Sequence, residues 1–204
     1  VHWSEVPGRD EKWKEETIRN TSEGQFQTEF ECEFLGSVDT LITASKLKSM
    51  AVESPKRSGG LDVYDMPEKD HVYTMAVDVS RGLSHDYSAF VVFDCTQAPY
   101  KVVAKYRDNE IKPLLFPSII ERVAKHYNNA YVLIEINDLG QQVADNLQFE
   151  IEYDNVMMCT QRGRSGQVLG GGFSGRGNQL GLRMTKGTKR IGTSNLKSLI
   201  EGDK

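Results

Sequence analysis

Two acidic side chains sit where acids are costly. Asp78 ends the run Tyr73-Thr-Met-Ala-Val-Asp78, and Glu135 falls inside Ala130-Tyr-Val-Leu-Ile-Glu-Ile-Asn137. An ionised carboxylate in apolar surroundings is strongly disfavoured unless something cationic meets it. Both acids are therefore candidate metal ligands. Hard divalent cations such as magnesium take oxygen ligands of this kind. Two such ions clamp the attacking and leaving oxygens of a phosphodiester. Asp86 is a further candidate ligand, although an Asp in its loop serves a turn equally well. Asp138 reads as a cap for a helix beginning near Leu139. His85 reads as a plain loop residue in preference to a phosphate contact.

The elements that must position these acids are short and apolar. Met75-Ala-Val77 leads into Asp78, Ser80-Arg-Gly82 is turn chemistry, and Ala89-Phe-Val-Val-Phe93 follows, which reads as a β-hairpin. Both runs are nearly continuously apolar, so the hairpin is expected to lie central in a sheet covered on both faces. Strands are expected near 72–79, 88–95, 100–107, 130–136 and 155–159, and the linker 54–70 leaves room for a short strand at Leu61–Tyr64. Ile119, Ile120, Val123 and Ala124 recur at helical spacing over 115–127, and Val143, Ala144 and Leu147 do so over 140–150. Three strands, then helix, strand, helix, strand make an α/β pattern.

Val77-Asp-Val-Ser-Arg-Gly82, Asp86-Tyr-Ser-Ala89 and Leu133-Ile-Glu-Ile-Asn137 occur in that order. Together they resemble the nuclease domain of the large terminase subunit of tailed bacteriophages, the motor and DNA-cutting protein of genome packaging. The resemblance runs from about Trp3 to Lys204. It takes in Pro7-Gly-Arg-Asp-Glu-Lys-Trp13, Phe26-Gln-Thr-Glu-Phe-Glu-Cys32 and the Gly-rich segment 163–181. It implies a ribonuclease H-like mixed sheet flanked by helices, with acids at strands one and four; spacing alone points only to an acidic metal site. It also implies an endonuclease that uses Asp78 and Glu135 with one or two Mg2+ or Mn2+ ions, cutting concatemeric double-stranded DNA with little sequence specificity. A third carboxylate is expected beyond Lys204. On the same resemblance, residues 1–70 form the end of the motor domain and its linker, and 71–204 a C-terminally incomplete nuclease domain. Portal protein and small terminase subunit are the implied partners, a homo-oligomeric ring the implied assembly, and the host cytoplasm during viral assembly the implied location.

Composition bounds the alternatives. The chain has 204 residues, 38% of them hydrophobic, enough for one substantial domain and an appendage. No apolar run approaches the roughly 20 residues of a membrane helix, and the acidic N-terminus is unlike a secretory leader. Cys32, Cys95 and Cys159 make no zinc pattern and read as small hydrophobes of a reducing compartment.

The net charge of −4 hides an asymmetry: residues 155–200 hold no Asp or Glu. Arg162, Arg164, Arg176, Lys186, Lys189 and Arg190 lie there and are the candidate DNA-binding residues. The stretch 162–193 is expected as a basic β-hairpin or arm, and a last helix is expected from Ser194. Phe26, Phe30 and Phe34 form a helical stripe after a capping box at Ser22 and Gln25, with a β reading of 27–35 in competition.

Gly170-Gly-Gly-Phe-Ser-Gly175 matches a dinucleotide fingerprint but has neither the helix nor the acid that such a site needs, and no phosphate-loop motif is present. Two readings compete with the endonuclease: a non-catalytic DNA-gripping or docking module of the motor, and another ribonuclease H-like nuclease of the resolvase kind.

Overall fold

The computed structural model describes residues 3–23, 26, 30, 41–84, 86–161, 167–169 and 178–203, and the chain divides into two compact units, Val1–Val52 and Glu53–Lys204. The first unit holds a 3-10 turn at Trp3–Glu5 and two helices, α1 (Glu11–Asn20) and α2 (Ala44–Ser49). Asp10 caps α1 by accepting from the Trp13 N–H at 2.8 Å. The Phe26 N–H donates to Ser22 and the Phe30 N–H to Phe26, both at 2.9 Å, which is the helical pattern. Gln25, Phe34 and Cys32 lie outside the described residues. Trp3, Trp13, Phe26 and Phe30 pack ring on ring, and the Arg9 guanidinium lies 4.4 Å from the Trp13 ring centre. These aromatics form a packing cluster.

The second unit is built on five strands: β1 (Leu61–Val63), β2 (Tyr73–Asp78), β3 (Ser88–Asp94), β4 (Lys101–Asp108) and β5 (Tyr131–Ile134). Their order in the sheet is β1-β4-β3-β2-β5. β2 and β3 pair antiparallel as the expected hairpin, and β4 continues the meander. The chain then crosses through helix α3 (Phe116–His126) and returns as β5, parallel to β2. That crossover makes the sheet mixed, with helices α3 and α4 (Gly140–Asp145) packed on it. A π-helical turn, Asn146–Glu150, extends α4.

One face of the sheet carries the core. Tyr73, Met75 and Val77 alternate inward on β2, Phe90 and Val92 on β3, and Val132 and Ile134 on β5. Phe116, Ile120 and Val123 of α3, Val143 and Ala144 of α4 and Leu147 of the π-helical turn cover them. The expectation of two covered faces does not hold among the described residues. Thr74, Val91 and Leu133 on the opposite face are half-buried, and Ala76 is exposed. Small and β-branched residues there satisfy β-propensity without needing a partner layer, so an unbroken apolar run did not require one.

Three further differences concern boundaries. Residues 61–63, read as a short strand inside the linker, do form one and pair with β4 at the sheet edge, and the second compact unit begins at Glu53. The strand expected at 155–159 starts as a parallel bridge from Val156 to Val132 on the edge of β5. It then becomes β6 (Met158–Gln161), the middle strand of a second sheet between β7 (Gln167–Leu169) and β8 (Asn178–Leu180). The hairpin expected within 162–193 is not formed by the two strands that lie there: β7 and β8 both pair antiparallel with β6, one on each side, because β6 offers two free edges.

The last helix, α5, spans Lys186–Glu201 and starts eight residues before Ser194. Thr185 caps it reciprocally with Thr188, which offsets the two glycines inside it, Gly187 and Gly192. Cys159 is fully buried and Cys95 partly so, as small hydrophobes. Among the described residues no helix is long and apolar enough to cross a membrane.

Candidate metal centre

The parallel pairing of β2 with β5 brings the two acids together. Val77 is in register with Ile134, so Asp78 and Glu135 follow as the next residues at the C-terminal ends of neighbouring strands. The Glu135 N–H donates to the Val77 carbonyl at 2.9 Å, which ties the two ends to each other. Asp78 is exposed and Glu135 half-buried. With Ala76, Val91, Leu133 and Leu182 they line a cavity of about 240 Å³.

Two glycines allow the backbone around Glu135 to close up. Gly140 opens α4 directly against the Glu135 carbonyl, where a Cβ would overlap backbone. Gly181 has φ +71° and passes so close to Ile134 and Ile136 that a side chain has no room. Leu182 then bridges β5 on its outer side, donating to the Ile134 carbonyl at 2.8 Å and accepting from the Ile136 N–H at 3.0 Å. Glu135 is thus held between β2 on one side and the 181–182 segment on the other.

The electrostatics of the pair call for a cation. Burial pushes the Glu135 carboxyl above its ordinary range, the Asp78 charge pushes it further, and the Lys189 ammonium on α5 works in the opposite direction. Lys189 therefore acts electrostatically on Glu135. Lys186, Lys189 and Arg190 are exposed, and Lys189 and Arg190 lie about one turn beyond Lys186 at the start of α5. Arg162, Arg164 and Arg176 lie outside the described residues, as do His85 and the glycines at 170–175.

Asp86 is not brought into this cavity; its carboxylate accepts from the adjacent Tyr87 N–H at 2.8 Å, which is turn chemistry. Asp138 does not cap α4. It accepts a two-pronged ion pair from Arg81, at 2.8 and 3.1 Å, and the helix begins without a side-chain cap. That pair depresses the Asp138 carboxyl and raises the Arg81 guanidinium, and it joins the loop after β2 to the loop after β5. Among the described residues no group of three or more His, Cys, Asp or Glu forms a metal cluster. Asn137 was missed as a site residue: its amide donates to Glu135 Oε1 at 3.1 Å. Its place directly after Glu135 and Ile136 was the available signal.

The sequence profile of the terminase RNaseH-like domain matches residues 75–204. The chain belongs to this family. Solved structures agree with the fold. The large terminase nuclease from thermophilic phage G20c, with bound cobalt, is 19% identical and superposes with a TM-score of 0.60 over 82% of this chain and 72% of that one. The same nuclease with bound magnesium gives 18%, 0.59, 82% and 73%. The large terminase nuclease domain of Thermus phage P74-26 gives 17%, 0.53, 78% and 68%. Family membership removes the resolvase-like alternative and establishes the ribonuclease H-like fold.

Proposed function

We propose that this chain carries a divalent-cation-dependent endonuclease that cuts concatemeric double-stranded DNA during viral genome packaging. The observation behind this reading is the adjacency of Asp78 and Glu135 at the ends of two parallel strands, with Glu135 short of compensating positive charge. The pair fits such a cation: it offers only hard oxygen donors, and a bound positive charge would reverse the upward push on Glu135. Mg2+ or Mn2+, as one or two ions, is the proposed occupant. A cation of this kind activates water and neutralises charge on the scissile phosphate.

The chain's own residues supply the rest. Asp78 and Glu135 present their oxygens from rigid strand ends, so their spacing is set by the sheet and not by a loop. Lys189 offsets part of the upward push on Glu135. Lys186, Lys189 and Arg190, with Arg162, Arg164 and Arg176, would take the phosphate backbone. Backbone contacts carry little base information, which suits cutting with little sequence specificity. Residues 1–70, whose first 52 form the first compact unit, would carry the end of the motor domain and its linker, and a portal protein, a small terminase subunit and a motor ring would be the packaging context.

A second reading, in which this chain grips DNA without cutting it, rests on the exposed basic residues Lys186, Lys189 and Arg190 at the start of α5. Plasmid cleavage with Mg2+ or Mn2+ separates the two. The endonuclease reading expects nicking and linearisation that Asp78→Ala and Glu135→Ala both abolish while DNA binding persists. Salt-sensitive DNA binding without cleavage would support the gripping module, and cleavage that survives both substitutions would sink the assignment of the acids.

A further inference from the structure

Asn137 carries no charge, yet it links three parts of the centre. Its Oδ1 accepts from the Met184 N–H at 3.1 Å, and its Nδ2 donates to the Met184 carbonyl at 3.0 Å and to Glu135 Oε1 at 3.1 Å. The network fixes the orientation of the amide: only the oxygen can meet the Met184 N–H, which turns the nitrogen toward the two acceptors. No other side chain of this length offers an acceptor and two donors in that geometry. An aspartate cannot donate, and a serine does not reach.

Met184 occupies a decisive place. It lies between Leu182, which bridges the edge of β5 beside Glu135, and Thr185, which caps α5. The two bonds between the Asn137 amide and the Met184 backbone therefore anchor the root of the helix that bears Lys186, Lys189 and Arg190. The third bond aims the Glu135 carboxylate, which has no other hydrogen-bond donor among the described side chains. Without it, a half-buried carboxylate facing Asp78 gains by turning away.

We propose that Asn137 is a positioning residue that holds the Glu135 carboxylate toward Asp78 and ties it to the root of α5, so that one amide sets both the acid geometry and the seat of the basic helix. This rests on the reading of Asp78 and Glu135 as a divalent-cation centre. Groups that orient metal ligands from behind typically alter metal affinity about 10- to 100-fold when removed.

The test uses the full chain and Mn2+ alone. Mn2+ affinity is read from the free-ion electron paramagnetic resonance signal for the parent, Asn137→Ala, Asn137→Leu and Glu135→Ala, with folding checked by circular dichroism and amide exchange followed over residues 183–190. Asn137→Leu keeps the branched shape of the side chain without its hydrogen bonds should the alanine variant fold poorly. The expected result is an affinity loss of about 10- to 100-fold in the Asn137 variants, with faster exchange at Met184 and the first turn of α5. A purely structural amide would lower the melting temperature and leave the affinity of the folded protein unchanged, which overturns the proposal. Glu135→Ala with unchanged Mn2+ affinity overturns the metal-centre reading itself. Affinity lost in Glu135→Ala but kept within twofold in both Asn137 variants overturns the role of Asn137 alone.

Discussion

Replacing Gly181 by alanine tests the packing on which the centre depends. Gly181 has φ +71°, and a Cβ built there falls on the Ile134 carbonyl and the Ile136 side chain. Left-handed backbone costs a non-glycine residue about 1 kcal/mol or somewhat more. Forcing a methyl into filled space costs about 1–3 kcal/mol. The sum predicts a loss of roughly 2–4 kcal/mol, or a fall of roughly 5–15 °C in the melting temperature of a unit this size. Gly192 supplies the opposite sign. It lies inside α5 with nothing within 4 Å of an added Cβ, so Gly192→Ala should stabilise by up to about 1 kcal/mol. Both variants are followed by far-ultraviolet circular dichroism during thermal and urea unfolding. Trp3 and Trp13, the two tryptophans, belong to the first unit, so their fluorescence does not report on this change. A loss below about 1 kcal/mol in Gly181→Ala would refute the close approach of the 181–182 segment to β5.

Three other outcomes follow from the same geometry. Saturating Mn2+, at about 100 times its dissociation constant, should stabilise the parent by about 2.7 kcal/mol and leave Glu135→Gln unmoved. Because the Glu135 carboxyl is raised, its ionisation weakens the cation-free fold as pH climbs from the ordinary carboxylate range through the raised value; Glu135→Gln should therefore melt higher than the parent at pH 7 without metal. At the far end of the sheet His71 Nδ1 lies 2.7 Å from Asp94 Oδ2. The hydrogen bond to Asp94 raises His71, while Asp94, despite burial, is lowered by Thr96 and His71. The His71 contribution is complete below its ordinary value near 6.5 and disappears as pH rises through the raised value, whereas that of Asp94 disappears as pH falls below about 4. The melting difference between the parent and His71→Gln should thus be largest between about pH 4 and 6.5 and shrink by pH 8; a flat difference would exclude the ion pair. Finally, replacing Lys186, Lys189 and Arg190 together by alanine should flatten the slope of log affinity for DNA against log salt by about 2.7, at about 0.9 for each phosphate no longer neutralised. An unchanged slope would remove α5 from the DNA-binding face.

Asp78 and Glu135 were legible as special because an acid attached to an apolar strand run is a local contradiction that something must resolve. The hairpin of β2 and β3, the amphipathic faces of α3 and α4 and the basic character of residues 155–200 were legible for the same reason, since each is written in consecutive residues. What the sequence left open depends on register and approach between distant segments. The adjacency of the two acids exists because β5 returns parallel to β2, with Val77 opposite Ile134. β1 joins the sheet only because β4 leaves it an edge, and α5 begins at Lys186 because Thr185 and Thr188 cap each other more effectively than two glycines oppose the helix. Asp138 looked like a cap until Arg81 took it. Asn137 has no pattern of its own; its meaning arises only when Met184, far along the chain, is folded back against it. Periodicity reports which face of an element is apolar, but hydrogen-bond partners between elements are decided by how those elements meet.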